Sequence, residues 1–206
     1  MEAQLHVARA LGEYGTPMAS PLPAGAAAGK TVGDIPAPHQ LVRRAFQLSK
    51  TLPDELLHVF EKRTSTLPKT TKAERPVVQR VGQDVFRNGL LEYWEGRCAI
   101  AGLALAELLR ASHIKPWADR ASDAERPDVF NGLLLAPHLD AAFDRGFITV
   151  ADNGAVIVAN ALGDDRRRVP GLDVPLRMRV LAERHRAHLP WHGERVLKAK
   201  GGRRAP

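Results

Sequence analysis

The sequence predicts an α+β fold whose core is two short strands followed by a short acidic helix. N-terminal helices, a following β-hairpin and basic C-terminal helices are predicted to flank this core. Apolar residues recur at helical spacing before residue 96, short apolar runs bounded by turn residues lie between residues 108 and 158, and basic residues predominate beyond residue 150. A chain of 206 residues suits one domain with appendages.

Three segments are predicted to precede the core. Residues 1–36 contain a short helical pattern and then a stretch rich in Ala, Gly and Pro, which predicts a disordered lead. Residues 37–72 carry two helical patterns that predict a small helical cap, with Pro53 at the start of the second helix. The longest helical pattern runs from Pro76 to Glu95, and its wide apolar stripe predicts a helix packed against the core.

The core begins with an apolar run that leads into Ser112 and His113. Pro116 has no N–H to donate to a neighbouring strand, so we expect His113 at the frayed end of a short strand. Asn131-Gly132 then predicts a tight turn, and the three leucines that follow predict a brief buried strand.

A short helix is predicted between Pro137, a favourable first residue, and Gly146, a typical stop. Asp140 and Asp144 are four residues apart on this helix, so both carboxylates project from one face. A hard divalent cation such as Mg²⁺ would replace their mutual repulsion by chelation. Alternatively, the helix dipole favours Asp140 in the first turn, and Asp144 is a solvated surface charge.

The C-terminal part is predicted to contain a hairpin and two basic helices. Residues 147–150 and 155–158 read as strands joined by an Asp-Asn-Gly turn. An exposed loop with three consecutive arginines follows, then a basic helix over Leu176–Leu189 that Pro190 stops, and a second short helix over residues 192–200.

Three histidines in this part have a spacing that invites a metal interpretation: His185, His188 and His192. Pro190 interrupts the set, and no carboxylate or cysteine is fixed beside it. The pattern therefore favours surface histidines on a basic helix.

Composition constrains the partners and the compartment. The net charge is +7 and the isoelectric point is near 10, which favours a polyanionic partner. Residues 151–206 carry twelve Lys and Arg against six Asp and Glu, whereas residues 96–150 carry six against seven. No run of eighteen apolar residues is present, so no membrane partner is expected, and the N-terminus lacks the pattern of a signal peptide.

The single cysteine excludes an internal disulfide and a zinc site built from several cysteines. We expect Cys98 to be a small buried residue on the first core strand. A reducing cytoplasm is the default compartment for such a chain.

The ordered motifs RCAIAGL, SHIKPW, NGLLL and HLDAAFDRG resemble the HNH endonuclease family, and most closely its bacterial restriction-endonuclease-like branch. The core of that family is a β-hairpin followed by a metal-bearing helix, the ββα-metal fold. An R-x-G-Q-x-x-F-R segment before the hairpin extends the resemblance to roughly residues 64–160. The domain boundaries that we expect are a lead over 1–36, a cap over 37–72, a nuclease core over 73–160 and a basic extension over 161–206.

The resemblance implies a role for each matched residue. His113 would be the general base, Asn131 would support the base or its loop, and Asp140 and Asp144 would hold one divalent cation. The implied activity is hydrolysis of DNA phosphodiester bonds. The imidazole is then expected to face the two carboxylates across a gap for an ion and a phosphate.

Two positions depart from the pattern of the family. Ser112 stands where a metal-ligating Asp or His often precedes the base, and Asp140 stands where a His is common. The resulting oxygen-rich set favours Mg²⁺ or Mn²⁺ over Zn²⁺. His138 is a candidate metal ligand or phosphate contact, with a plain polar residue at the helix start as the alternative.

Four basic residues are candidates for contacts to DNA phosphates: Arg80, Arg87, Lys115 and Arg145. For the first two, the alternative is a solvated helix face with salt bridges. For Arg145, the alternative is a cation that complements the helix C-terminus.

Overall fold

A computed structural model describes residues 16–18, 22, 24–26, 29–31, 36–65, 67, 75–116 and 128–198 of the chain. The helices are α1 (Pro36–Ser49), α2 (Pro53–Thr64), α3 (Arg75–Tyr93), α4 (Pro137–Asp144), α5 (Glu183–Arg186) and α6 (Leu189–Arg195). The strands form three antiparallel ribbons, β1 (Thr16–Pro17) with β2 (Lys30–Thr31), β3 (Arg110–His113) with β4 (Gly132–Leu135), and β5 (Ile148–Val150) with β6 (Val156–Val158). The predicted α+β class is confirmed.

The ribbon of β3 and β4 is in contact with both α3 and α4. Its register pairs Arg110 with Leu135 and His113 with Gly132. Every residue of β4 is buried, which explains its unbroken leucine run. Helix α3 packs against the ribbon through Phe86, and α4 follows β4 directly and packs against β3.

The tight turn predicted at Asn131-Gly132 is only partly confirmed. Asn131 is in a turn, but Gly132 is the first residue of strand β4. Its φ of −154° is extended backbone, and the turn is a 3₁₀ turn over Val129–Asn131 that ends before it. Glycine is needed for space, because a Cβ at this position would overlap the Phe86 ring. Phe86 can therefore lie across the strand end beside His113.

The helices before the core agree with the periodicity of the sequence. Helix α3 begins and ends close to the predicted positions, α1 and α2 correspond to the two helical patterns of the predicted cap, and Pro53 begins α2. Arg44 of α1 donates to the carbonyls of Glu92 and Tyr93 at 2.9 and 2.6 Å, which satisfies the C-terminus of α3. In the lead, Thr16–Pro17 and Lys30–Thr31 form a ribbon, and the helical pattern over residues 3–15 lies outside the described residues.

The basic helix predicted over Leu176–Leu189 is wrong. Within this range only Glu183–Arg186 and Leu189, the first residue of α6, are helical, because the backbone before Glu183 pairs with distant segments. The N–H of Val156 donates to the Leu176 carbonyl, and that of Met178 donates to the Gly154 carbonyl. Pro190 lies in the first turn of α6 and does not end a helix, and α6 stops at Arg195. The arginine-rich loop forms 3₁₀ turns over Asn160–Arg168.

Cys98 is buried but lies in a turn, so its predicted place on the first core strand is wrong. Its Sγ accepts the N–H groups of Ala101 and Ala136 at 3.3 Å each. Ala136 is the residue before α4, so this turn fixes the start of that helix. None of the described helices has the length and apolar character needed to cross a bilayer.

Gly132→Ala should destabilise the protein by about 1–3 kcal/mol, because the added methyl group must displace the Phe86 ring. Gly193→Ala is the matched control, since its helical Cβ would meet nothing within 4 Å and the change should be neutral or stabilising. Urea unfolding measures both variants. Equal stability of Gly132→Ala and the wild type would contradict this packing.

Candidate active site

The side chains of β3 alternate between two neighbouring elements. Ser112 is 2% exposed and donates through Oγ to Oδ1 of Asp144 on α4 at 3.0 Å. The next side chain, His113, stacks on Phe86 of α3 with ring centroids 3.8 Å apart and planes 7° apart. Consecutive strand residues point to opposite faces, so the two residues leave β3 on opposite sides. The carboxylates therefore lie on the Ser112 side of this strand, and the imidazole leaves it on the opposite side.

Asp140 and Asp144 lie together beside Ser112, as their spacing predicted. The pKa of Asp140 is raised, first by partial burial and second by the charge of Asp144. The Ser112 hydroxyl and the charge of Arg110 lower this pKa and offset part of the rise. The apolar side of α4, with Leu139, Ala142 and Phe143, is buried in the core.

Asn131 holds the chain that follows His113. Its side chain accepts the N–H of Lys115 at 2.9 Å and donates to the Lys115 carbonyl at 3.2 Å. Its own carbonyl accepts the N–H of Ile114 at 3.0 Å. The residue is fully buried, so these bonds are protected from water. The sequence left two roles open for Asn131, support of the base and support of its loop. These contacts correspond to support of the loop.

The candidate phosphate-binding residues differ in their exposure and in whether their side chains already bond to the protein. Arg87 donates to the carbonyls of Leu109 and Ala106 at 2.6 and 3.0 Å, so its guanidinium holds the turn before β3. Arg80 and Arg145 are exposed, the latter at the end of α4. Lys115 and His138 are half-buried, Lys115 with its backbone bonded to the Asn131 side chain and His138 in the first turn of α4.

The prediction of surface histidines in the C-terminal part is wrong. His185 is buried among the rings of Tyr93, Trp94 and Phe130. His188 is largely buried, with Nε2 4.0 Å from the Asp128 carboxylate. His192 is 1% exposed and stacks on Phe143 with ring centroids 3.7 Å apart.

His192 fixes the C-terminal end of α4. Its Nε2 lies 3.1 Å from the Phe143 carbonyl, and because a carbonyl can only accept, Nε2 carries the proton. Nδ1 therefore accepts from the Thr149 hydroxyl at 3.0 Å. Burial lowers the pKa of His192 to about 4, although the bond to Phe143 opposes this shift.

The sequence did not indicate the roles of three residues that shape the site: Phe86, Arg110 and His192. The alternation of β3 was a usable signal for Arg110, since it lies two residues before Ser112 on the same face. Phe86 lies 27 residues before His113, and His192 lies 48 residues after Asp144. Local sequence patterns do not indicate contacts over such separations.

A comparison with protein families identifies the central segment. Residues 98–151 match the family model described as HNH endonuclease. This range includes β3, β4, α4 and β5, so the segment that carries the candidate site is similar to HNH endonucleases. An HNH endonuclease domain indicates nuclease activity on DNA, generally with a divalent metal ion. No curated protein matches the chain.

The oxygen set of the site fits a hard cation. Among the described residues, no group of three or more His, Cys, Asp or Glu is arranged to hold a metal. Mg²⁺ is commonly held by one or two carboxylates, with waters and substrate phosphates completing its shell. Two adjacent carboxylates with a serine hydroxyl beside them therefore fit Mg²⁺ or Mn²⁺ and lack the donors of a closed zinc site.

Stability should fall as the pH drops from about 6.5 to about 4, in part through His192. The unfolded state binds a proton near pH 6.5 and the folded state only near pH 4, so protonation favours unfolding in this interval. This protonation lowers the free energy of unfolding by on the order of 3 kcal/mol, and the loss stays constant below the folded-state pKa of about 4.

Urea unfolding of the wild type and of His192→Gln at pH 7.5 and pH 5 measures this contribution. His192→Gln should lose part of the pH dependence, whereas the control His39→Gln, at an exposed position, should retain it. An unchanged pH dependence in His192→Gln would contradict the buried neutral imidazole.

Proposed function

We propose that this protein is a metal-dependent DNA endonuclease that uses His113 as general base and one divalent cation held by Asp140 and Asp144. The observation that carries the proposal is the bond from Ser112 to Asp144, because it brings the acidic helix against the strand that ends at His113. A base on this strand and a cation on this helix are the two groups that phosphodiester hydrolysis requires.

His113 would take the proton of the attacking water. An imidazole is suited to this role near neutral pH. The stack on Phe86 restricts rotation of the ring, so the nitrogen that accepts the proton keeps its direction. Asn131 supports the same role indirectly, because its two bonds to Lys115 fix the backbone that follows the base.

Asp140 and Asp144 would hold Mg²⁺ or Mn²⁺, with Ser112 as an oxygen neighbour. When bound, the cation supplies neutralisation of the charge that develops on the phosphoryl and leaving oxygens. Ser112 orients Asp144 through its hydroxyl, and α4 sets the spacing of the two carboxylates. This division of roles leaves proton transfer to the imidazole alone.

The DNA partner is supported by charge as well as by the family. The net charge is +7, and the excess of basic residues lies after residue 150. Arg80, Arg145 and Lys115 are the candidate phosphate contacts near the core. Such contacts give affinity but carry no base information, so no cleavage sequence follows from them.

His113→Ala should lower the rate of plasmid nicking by about 10²–10⁴ and leave DNA affinity unchanged, because only the base is removed. Nicking and gel-shift assays with Mg²⁺ measure the two effects, and thermal melting confirms that the variant folds. His39→Ala on α1 is the control for loss of an exposed imidazole. Wild-type cleavage by His113→Ala would remove His113 from the mechanism.

Asp144→Asn should reduce Mn²⁺ affinity and cleavage together, each by about tenfold or more, because it removes a charge and keeps the shape of the side chain. Titration calorimetry with Mn²⁺ and the nicking assay provide the data, and EDTA should abolish wild-type activity. The control is Asp165→Asn, which neutralises an exposed carboxylate paired with Arg168. Retention of both properties by Asp144→Asn would require other ligands.

Ser112 supports a second candidate, an HNH-fold module that binds DNA with little or no cleavage. A hydroxyl is a weaker cation ligand than the Asp or His that often precedes the base. Protein that shifts duplex DNA but does not cut it with Mg²⁺, Mn²⁺, Ni²⁺ or Zn²⁺ would favour the module. Cleavage that depends on methylation of the duplex would favour a restriction role over that of a DNase toxin with an inhibitor partner.

A further inference from the structure

Arg110 begins β3, on the face that carries Ser112. Strand residues two apart lie on one face, about 7 Å from each other along the strand. The hydroxyl of Ser112 bonds to Asp144, so this face is directed towards α4. Arg110 is exposed, and it lies close enough to Asp140 for the two charges to interact.

The guanidinium of Arg110 is not used to hold the fold. Arg44 and Arg87 donate to backbone carbonyls, and Arg184 pairs with Asp128. Arg110, in contrast, forms no hydrogen bond and no ion pair within 4.0 Å with any residue in the described ranges. A guanidinium has five N–H donors in a planar fork that matches the oxygens of a phosphate.

On the basis of the proposed function, we propose that Arg110 binds a backbone phosphate of the DNA next to the carboxylate pair. Its position two residues before Ser112 extends the binding surface along β3, away from His113. The Arg110 guanidinium would then contact the same DNA strand as the cation that the two carboxylates hold. Both would do so from one face of the β3–β4 ribbon. The ligand class is a phosphodiester, whose negatively charged oxygens accept the N–H donors of a guanidinium.

The alternative role of Arg110 is to act as an internal counter-charge for Asp140. Removal of the Arg110 side chain gives a different result for each role. A counter-charge competes with the cation, so its loss would raise Mn²⁺ affinity and leave DNA binding unchanged. A phosphate contact adds to DNA binding, so its loss would weaken binding and reduce its dependence on salt.

The test compares the wild type, Arg110→Ala, Arg110→Lys and the control Arg63→Ala, which removes the same charge from an exposed position on α2. The affinity for a duplex is measured between 50 and about 200 mM salt in EDTA, which prevents cleavage. Arg110→Ala should weaken binding by about tenfold and reduce the slope of log affinity against log salt by about 0.9. Arg110→Lys should keep most of the slope, and Arg63→Ala should keep all of it.

An unchanged slope in Arg110→Ala, or an equal change in Arg63→Ala, would overturn the assignment. Cleavage by the wild type with Mg²⁺ is measured in parallel and tests the proposed function separately. If the wild type cleaves and Arg110→Ala has the wild-type slope, only the role of Arg110 fails. If the wild type binds but does not cleave while the slope changes, the nuclease reaction fails and the phosphate contact stands. Absence of duplex binding by the wild type would overturn both.

Discussion

Strand β3 is clamped between two neighbours, and the candidate site depends on its register. Ser112 bonds to Asp144 on one face, and His113 stacks on Phe86 on the other. A slip of one residue would exchange the two faces, which would break the bond and the stack together. Gly132 permits this arrangement because, opposite His113, a side chain would occupy the space of the Phe86 ring. One short strand therefore fixes both the candidate base and the carboxylate pair.

Helix α4 is fixed at both ends by residues distant in sequence, and it carries the two carboxylates. At its start, Cys98 accepts the N–H of Ala136, and at its end His192 donates to the Phe143 carbonyl. The N–H of Lys198 donates to the Gly146 carbonyl directly after the helix. The basic C-terminal part thus has a structural role around the acidic helix in addition to its charge. The buried neutral imidazole of His192 also makes the end of α4 sensitive to pH, because protonation of His192 is unfavourable in the folded state.

Local signals predicted much of the fold, and long-range contacts account for what was missed. Pro137 and Gly146 mark the ends of α4, and the spacing of Asp140 and Asp144 predicted their common face, because each signal acts within a few residues. The helix expected over Leu176–Leu189 failed because its backbone pairs with the β5–β6 hairpin region. The buried histidines were missed because their partners, Phe143 and Thr149 among them, lie more than 40 residues away. Tertiary contacts of this kind override local propensity.

The location of a bound cation decides whether Asp140 and Asp144 form the metal site. A crystal of the protein with Mn²⁺ and a duplex carrying an uncleavable phosphate analogue would give an anomalous signal from the metal. We predict one peak about 2.1 Å from oxygens of both Asp140 and Asp144, with a DNA phosphate completing the shell. A peak coordinated by other residues, or ordered DNA with no metal at this carboxylate pair, would contradict the account.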